Sequence, residues 1–448
     1  MSCAETKFLK DLFSSLAVED VRYAVARNAQ TLPETLGGSD LDIIALDDTE
    51  ASKVYDIARL AAERHGGRCI DSYRVEVIVA SFGGRNADGE WWGCHIDIIP
   101  GVKYYGIPYM DAGLLLSERE LVKNSFFKCG PIADVATLLK ELVRNRRTKK
   151  DYYPAARKAY VANRDGIRNS LVGLTGERGW RLIENLLSEE RDDAFIRCQS
   201  IRFTRQIWLH NLINGRCIRL LGIKSKNIYR RLRRMFFPPG FTVAFLGTDG
   251  SGKSTLIEVV KEPLEKMLHA KVHYEHLRPN MLPSLARLAG KPVKEGPTTD
   301  PHGGKVAGWF SSLMRFTYYY MDYVVGYWLK IYPILVKRPS MVFFDRYYYE
   351  YMIDPRRCAV RLPRGWAKFW SRFIPKPDLI LCLGGDPEKI YTRKPETSLE
   401  EVRRQVGELK KFCDGNKRAV WIDTTTNIEA SRDAALMAIT ERMAARYK

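Results

Sequence analysis

Residues 247–254 read Gly-Thr-Asp-Gly-Ser-Gly-Lys-Ser and fit the spacing GxxxxGK[ST]. Gly247, Gly250 and Gly252 let the backbone turn tightly, so that the amides of Thr248, Asp249 and Ser251 can be aimed at phosphate oxygens. A helix beginning near Lys253 adds the positive end of its dipole. The Lys253 ammonium can reach the β- and γ-phosphates, and the Ser254 hydroxyl, next to Thr255, can ligate Mg2+. The chemistry of this stretch is the gripping of a nucleoside triphosphate.

Phosphoryl transfer asks the protein for positioning, a metal ion and cationic clamps rather than for covalent chemistry. Candidates for these roles are carboxylates and arginines at strand ends. Asp345 follows the apolar run MVFF directly and is a candidate for catalysis and for Mg2+; Arg346 comes next. Arg278 follows a second strand-like run, and Arg393 and Lys394 lie in the loop-like stretch EKIYTRKPETSLEE. A second constellation stands near the N-terminus. Asp40 and Asp42, two apart in GGSDLDIIAL, share one face of a strand, and Asp97 in CHIDIIPG sits on another. Three carboxylates on neighbouring strands can hold two Mg2+ ions and orient a nucleoside triphosphate. His273 and His276 are three apart without a Cys/His partner cluster, so a zinc site is not expected.

The elements that must position these residues fall into three segments. In 1–130, VRYAVA (21–26), LDIIAL (41–46), VEVIVA (75–80) and CHIDII (94–99) read as strands, and 53–66 as a helix ending at Gly66. Residues 131–237 read as a helical, basic connector. The stretch 141–236 carries 23 Lys/Arg against 9 Asp/Glu, or +14 of the chain's net +19. It ends in KSKNIYRRLRRMFFPPG, where Ile228, Leu232, Met235 and Phe236 recur at helical spacing between arginines. Two readings stand: a connector helix packing on a neighbouring domain, or a basic amphipathic helix on an anionic membrane face. From 241 to 448, strands expected at 241–246, 271–276, 341–344, 379–383 and 419–422 alternate with helices, the pattern of a doubly wound parallel sheet. The fold class is therefore α/β, with an α/β front segment, a helical basic middle segment and a doubly wound parallel sheet behind.

The string GTDGSGKST…HLRP…FFDRY…CLGGDPEKIYTRK…EEVRRQ…WIDTT over about 241–440 resembles the thymidylate kinase-like branch of P-loop kinases. The resemblance implies ATP as donor and Mg2+ as cofactor. It places Asp249 toward the acceptor, Asp345 and Arg346 in an Asp-Arg-Tyr element handling acceptor and phosphate, Arg278 on the acceptor's anionic group, and Arg393 and Lys394 in a lid over ATP. The chain departs from thymidylate kinases proper in YYYEYMIDPRRC after Asp-Arg-Tyr, in a Pro/Gly-rich insertion after HLRP, and in the aromatic run WFSSLMRFTYYYMDYVVGYW. There it is similar to thymidylate kinase-like proteins of bacterial surface-polysaccharide systems. That implies a sugar, glycan end or glycolipid as acceptor, with Asp354, Arg356 and Arg357 on the acceptor side. The front segment, reading R-N…LP…G-S-D-L-D over about 20–130, resembles a nucleotidyltransferase-like domain, with Arg27-Asn28 where a Gly-Ser pair usually holds the triphosphate.

The leading expectation is an ATP-dependent kinase for a sugar or glycan, with a second nucleotidyltransferase activity open in front. A nucleoside-monophosphate kinase and a nucleotide-gated protein of the membrane surface are the alternatives. The aromatic run is read as core or as the face of a homodimer. No nucleic-acid module is recognised. Nine scattered cysteines without a CxxC pair suit a reducing compartment, and the expected place is the cytoplasm or the inner membrane face.

Overall fold

The computed structural model describes residues 3–447 apart from 28, 75, 105–106, 146–151, 215–216, 284–307, 338–339 and 355–362. The chain is α/β and divides into two units, Met1–Arg233 and Arg234–Lys448.

The first unit is built on a seven-stranded mixed sheet. Its strands are β1 (Tyr23–Val25), β2 (Leu41–Ala45), β3 (Gly67–Arg74), β4 (Ile78–Arg85), β5 (Trp91–Pro100), β8 (Glu120–Val122) and β9 (Phe126–Lys128), in the order β3-β4-β5-β2-β1-β9-β8. A small ribbon, β6 (Lys103–Tyr104) with β7 (Ile107–Pro108), lies between β5 and β8 in sequence. Helices α1 (Cys3–Val18) and α2 (Asp48–Arg64) pack together and against the sheet, α1 through Phe8 on Phe82 and Trp92 and Phe13 on Phe126. Helix α2 starts earlier than the apolar spacing suggests because the Asp47 carboxylate accepts from the amides of Thr49 and Glu50 and caps it there.

The short α3 (Ala112–Ser117) leads into α4 (Ile132–Asn145), α5 (Tyr152–Ala162), α6 (Arg164–Ser188) and α7 (Asp193–Ile213). These helices pack on the first sheet. Leu138, Leu142, Tyr160, Leu171, Ile183 and Phe203 share one buried cluster with Ala24 and Ile44 of the first sheet. The basic helix α8 (Cys217–Phe236) contains the division between the units. Its Ile228, Leu232, Met235 and Phe236 are exposed.

The second unit carries a five-stranded sheet in the order β11-β12-β10-β13-β14, every pair parallel. The strands are β10 (Phe241–Gly247), β11 (Val272–His276), β12 (Met341–Asp345), β13 (Leu379–Gly384) and β14 (Ala419–Asp423). All five coincide with the expected runs. The three central strands β12, β10 and β13 are buried on both faces, as a helix-covered parallel sheet requires. The chain leaves β10 for β11 on one side and later β12 for β13 on the other. This opens a crevice beyond the C-terminal ends of β10 and β12.

The aromatic stretch splits by face. Phe316 and Tyr323 enter the core with Tyr347, Tyr348, Tyr349 and Tyr351, whereas Trp309, Phe310, Met314, Trp328 and Leu329 are exposed. Tyr347, Tyr348 and Tyr349, after Asp345-Arg346, are thus packing residues. Tyr347 and Tyr348 donate their hydroxyls to the carbonyls of Pro375 and Ala367 at 2.5 and 2.9 Å. No helix among the described residues is long and apolar enough to cross a membrane.

Candidate functional site

Strand β10 delivers the chain to the crevice at Gly247, and helix α9 (Lys253–Leu268) carries it away. Between them Gly250 and Gly252 take left-handed backbone angles, φ +79° and +77°, which glycine adopts without strain. At Gly250 there is also no room for a side chain. A Cβ would meet the Ile390 carbonyl at 2.7 Å and Lys394 Cβ at 3.1 Å. The loop therefore rests directly on the end of the helix Pro387–Arg393, with Lys394 against Gly250. Arg393 donates to the Thr424 carbonyl at 2.8 Å, and Lys394 pairs with Glu396 at 2.9 Å.

The Lys253 side chain is buried and folds back over its own loop, donating to the carbonyls of Gly247 and Thr248 at 2.8 and 2.7 Å. Burial, reinforced by the Arg346 charge, pushes its ammonium down to about 7 against the pull of Asp249, Glu350 and Asp345. Ser254 and Thr255 are exposed at the first turn of α9.

Asp345 ends β12, in register with Phe245 on one side and His276 on the other. Its Oδ2 accepts from the Tyr274 hydroxyl at 2.9 Å and lies 3.5 Å from His276 Nδ1. Burial works against its charge, but His276, Lys253 and Tyr274 prevail and hold the carboxyl at about 2. Burial and the Asp345 charge push the Tyr274 phenol well up. Arg346 sits at φ +72°, an uncommon conformation for a residue with a Cβ, and its amide donates to the Phe245 carbonyl at 2.9 Å. Its buried guanidinium bridges Asp249 Oδ1 at 2.7 Å and Glu350 Oε2 at 3.0 Å. Asp249, Asp345 and Arg346, 97 residues apart in sequence at the extremes, are thus one cluster.

Three buried side-chain oxygens in this cluster have no hydrogen-bond partner: Thr248 Oγ1, Ser251 Oγ and Asp345 Oδ1. Buried polar atoms are rarely left so, because each costs about 1–3 kcal/mol. Two hydroxyls on the loop that can donate to phosphate oxygens, and a carboxylate oxygen at the end of the neighbouring strand, suit a magnesium-bound polyphosphate.

Beside the cluster lies a cavity of about 390 Å³, lined in part by Arg278, Arg315, Tyr319, Tyr323 and Arg346. Arg278 is positioned by Asp322, a fully buried carboxylate at the start of a π-helix, Asp322–Ile331. Asp322 accepts from Arg278 Nη1 at 3.1 Å and from the amides of Met281 and Leu282 at 2.9 and 3.1 Å. The Arg278 guanidinium lies 4.3 Å over the Tyr319 ring. Arg315, on the cavity wall, is a residue that sequence spacing alone does not single out. Asp322 is the lone carboxylate of the aromatic run, which in sequence reads either as a functional group or as the cap of a polar partner. Asp354 is buried elsewhere, its Oδ2 accepting from Gln405 Nε2 at 3.0 Å, and it does not line the cavity. Arg356 and Arg357 lie outside the described residues.

In the first unit Asp42 and Asp97 are register partners on the parallel pair β2–β5, so they share a face. Asp40 stands exposed just before β2. Asp42 is taken up by Arg27, Nε to Oδ2 at 2.5 Å, and Arg27 also donates to the Tyr152 hydroxyl at 2.8 Å. Asp97 lies 3.6 Å from His95 Nε2, whose Nδ1 is 2.8 Å from Ser81 Oγ. Two of the three aspartates thus face protein cations or a proton-bearing ring. Among the described residues, no group of three or more His, Cys, Asp or Glu side chains converges to hold a metal ion. The residues present do not fit the two-ion centre expected of Asp40, Asp42 and Asp97.

Compared with known proteins, the chain matches no family model and no curated protein.

Proposed function

We propose that the Arg234–Lys448 unit is an ATP- and Mg2+-dependent phosphotransferase whose acceptor carries an anionic group. The observation that carries this reading is a loop with buried Lys253 and the unpartnered Thr248 Oγ1 and Ser251 Oγ, beside the unpartnered Asp345 Oδ1 at the end of β12 and next to a cavity lined in part by Arg278, Arg315 and Arg346. The loop amides and Lys253 hold the β- and γ-phosphates, and Arg393 and Lys394 join them on release from Thr424 and Glu396. Arg278, fixed by Asp322 and Tyr319, orients the acceptor through its anionic group, and Arg346 stands between acceptor and γ-phosphate. An acceptor oxygen forms a bond to the γ-phosphorus while the bond from that phosphorus to the β–γ bridging oxygen breaks, and ADP leaves. Mg2+, for which Ser254 and Asp345 are the fitting residues, supplies neutralisation of charge on the phosphate oxygens.

The resemblance favours a sugar or glycan that bears a phosphate or carboxylate. The three arginines of the cavity equally suit a nucleoside monophosphate, the second reading. Transfer from γ-labelled ATP to a panel of nucleoside monophosphates, sugar phosphates and lipid-linked glycans tests both. Label is expected in one class; absence of transfer together with absence of ATP binding would end the proposal.

A proton-linkage prediction follows from Lys253. At pH 8 an amine held at about 7 is mostly neutral in the free protein. A triphosphate beside it favours the charged form, so binding takes up a proton. Titration calorimetry in buffers of different ionisation enthalpy is expected to show uptake approaching one proton per site. The uptake vanishes in Lys253→Arg, because a guanidinium does not deprotonate in this range. Equal heats in all buffers would mean that the amine is already charged.

A further inference from the structure

We infer that the paired helices α6 and α7 form a docking surface for an anionic lipid bilayer. The two helices make an antiparallel hairpin through the four residues 189–192. Its register is fixed by a break in α6. Gly176 takes φ +72°, and a Cβ there would come within 3.0 Å of His210 Nδ1 on α7, so the helices approach closely at this point. The break frees the Thr175 carbonyl, which accepts from Gln206 Nε2 at 3.1 Å. This register sets Arg178 and Arg181 of α6 opposite Arg202 and Arg205 of α7 around a groove of about 400 Å³. Among the described residues lining that groove there is no carboxylate. Arginines three apart on a helix stand about 5–6 Å from each other, and packed helices about 8–10 Å, so four like charges crowd a small area.

The apolar part decides what covers them. At about 100° per residue, Arg202, Arg205, Leu209 and Ile213 fall within about 100° of one another on α7. Leu209 is 52 % exposed and Ile213 81 %. A row of arginines running into exposed aliphatic side chains matches lipid phosphates above an acyl layer. A soluble polyanion gives Leu209 and Ile213 nothing to bury against. Nucleic acid would call for aromatic rings to stack on bases, and none lines the groove. A second copy docked on this patch about a two-fold axis would bring the same arginines face to face.

Flotation of the full chain with vesicles tests the inference without reference to phosphotransfer. Vesicles of about 30 % phosphatidylglycerol in phosphatidylcholine are expected to carry the protein up at about 0.1 M salt and to release it at about 0.5 M. Pure phosphatidylcholine should not bind. The double variant Arg181→Gln/Arg202→Gln is expected to lower the partition about 30-fold, and Ile213→Ser about tenfold at unchanged charge. All three side chains are exposed, so thermal melting should match wild type. The inference is overturned if the wild type stays unbound, or if it floats equally well with the double variant, which would assign the binding to another face such as α8. It is also overturned if Ile213→Ser changes nothing while inorganic tripolyphosphate strips the protein from vesicles, the outcome of a site for soluble polyanions.

Discussion

Lys253→Ala is expected to lower phosphotransfer by about 10²–10³-fold or more while the protein stays folded. In the proposed reaction the loss is large because the ammonium would neutralise charge on the phosphates that change. The fold survives for a reason visible at the site. The buried ammonium is badly solvated there, as its displacement to about 7 shows, and deleting it removes that penalty. What is left behind is two carbonyls, of which Gly247 O keeps the Arg346 Nη1 contact at 3.4 Å. The net change in stability is expected within about 1 kcal/mol. Stability against pH gives an independent check. The unfolded chain holds a proton on this amine up to about 10.5, the folded one only up to about 7. Across that window the unfolded state binds more protons, so wild-type stability rises with pH. Denaturant titrations between pH 7 and 10 should show this slope and should lose it in Lys253→Ala. A variant that retains activity, or that unfolds, contradicts the role assigned to Lys253.

Arg346→Leu is expected to destabilise the second unit by about 3–5 kcal/mol, the largest stability effect at the site. Arg346 is the shared counter-ion of Asp249 and Glu350, and both it and Glu350 are buried. Removing it leaves two carboxylates facing each other at low dielectric, and removing charge from one of them should restore part of the loss. Arg346→Leu/Glu350→Gln is therefore expected to recover about 1–2 kcal/mol over Arg346→Leu alone in chemical denaturation. If the second change adds a further loss, Glu350 is not held in place by Arg346. Arg346→Lys keeps the charge but cannot span both carboxylates, and should fall between the two.

The parallel sheet of the second unit was legible because its central strands are buried on both faces and so must be written in apolar residues: FTVAFL, MVFF and LILCL can be little else. The loop was legible because glycine is needed where the backbone turns left-handed. The front unit was harder. Strand β8, Glu120–Val122, is short and largely exposed and carries no alternation to detect. Helix α1 carries its apolar residues, Phe8, Leu9, Leu12, Phe13 and Leu16, but lies ahead of the first recognisable strand and was not separated from it. In the helical, basic stretch 131–237 the apolar stripes were legible, but not the surface they cover. Here that surface is Ala24, Ile44 and their neighbours, about a hundred residues upstream. Pairing across distance was the least legible of all. Nothing in the local pattern ties Asp322 to Arg278, or withdraws Asp42 into an ion pair with Arg27, and it is these pairings that decide which charges remain available to a ligand.

The ten-residue π-helix after Asp322 also bears on how this cavity can change. Such a coil is wound more loosely than its α-helical neighbours, Trp309–Met321 before it and Tyr332–Lys337 after it. It is slack stored in the backbone. Winding one turn of it tighter rotates everything on the upstream side about the helix axis without breaking either neighbour. The carboxylate that steers Arg278 sits at the upstream edge of that slack, and Arg315 and Tyr319 of the cavity wall lie just above it, so a change of backbone register there would shift the aim of Arg278 and one wall of the cavity together.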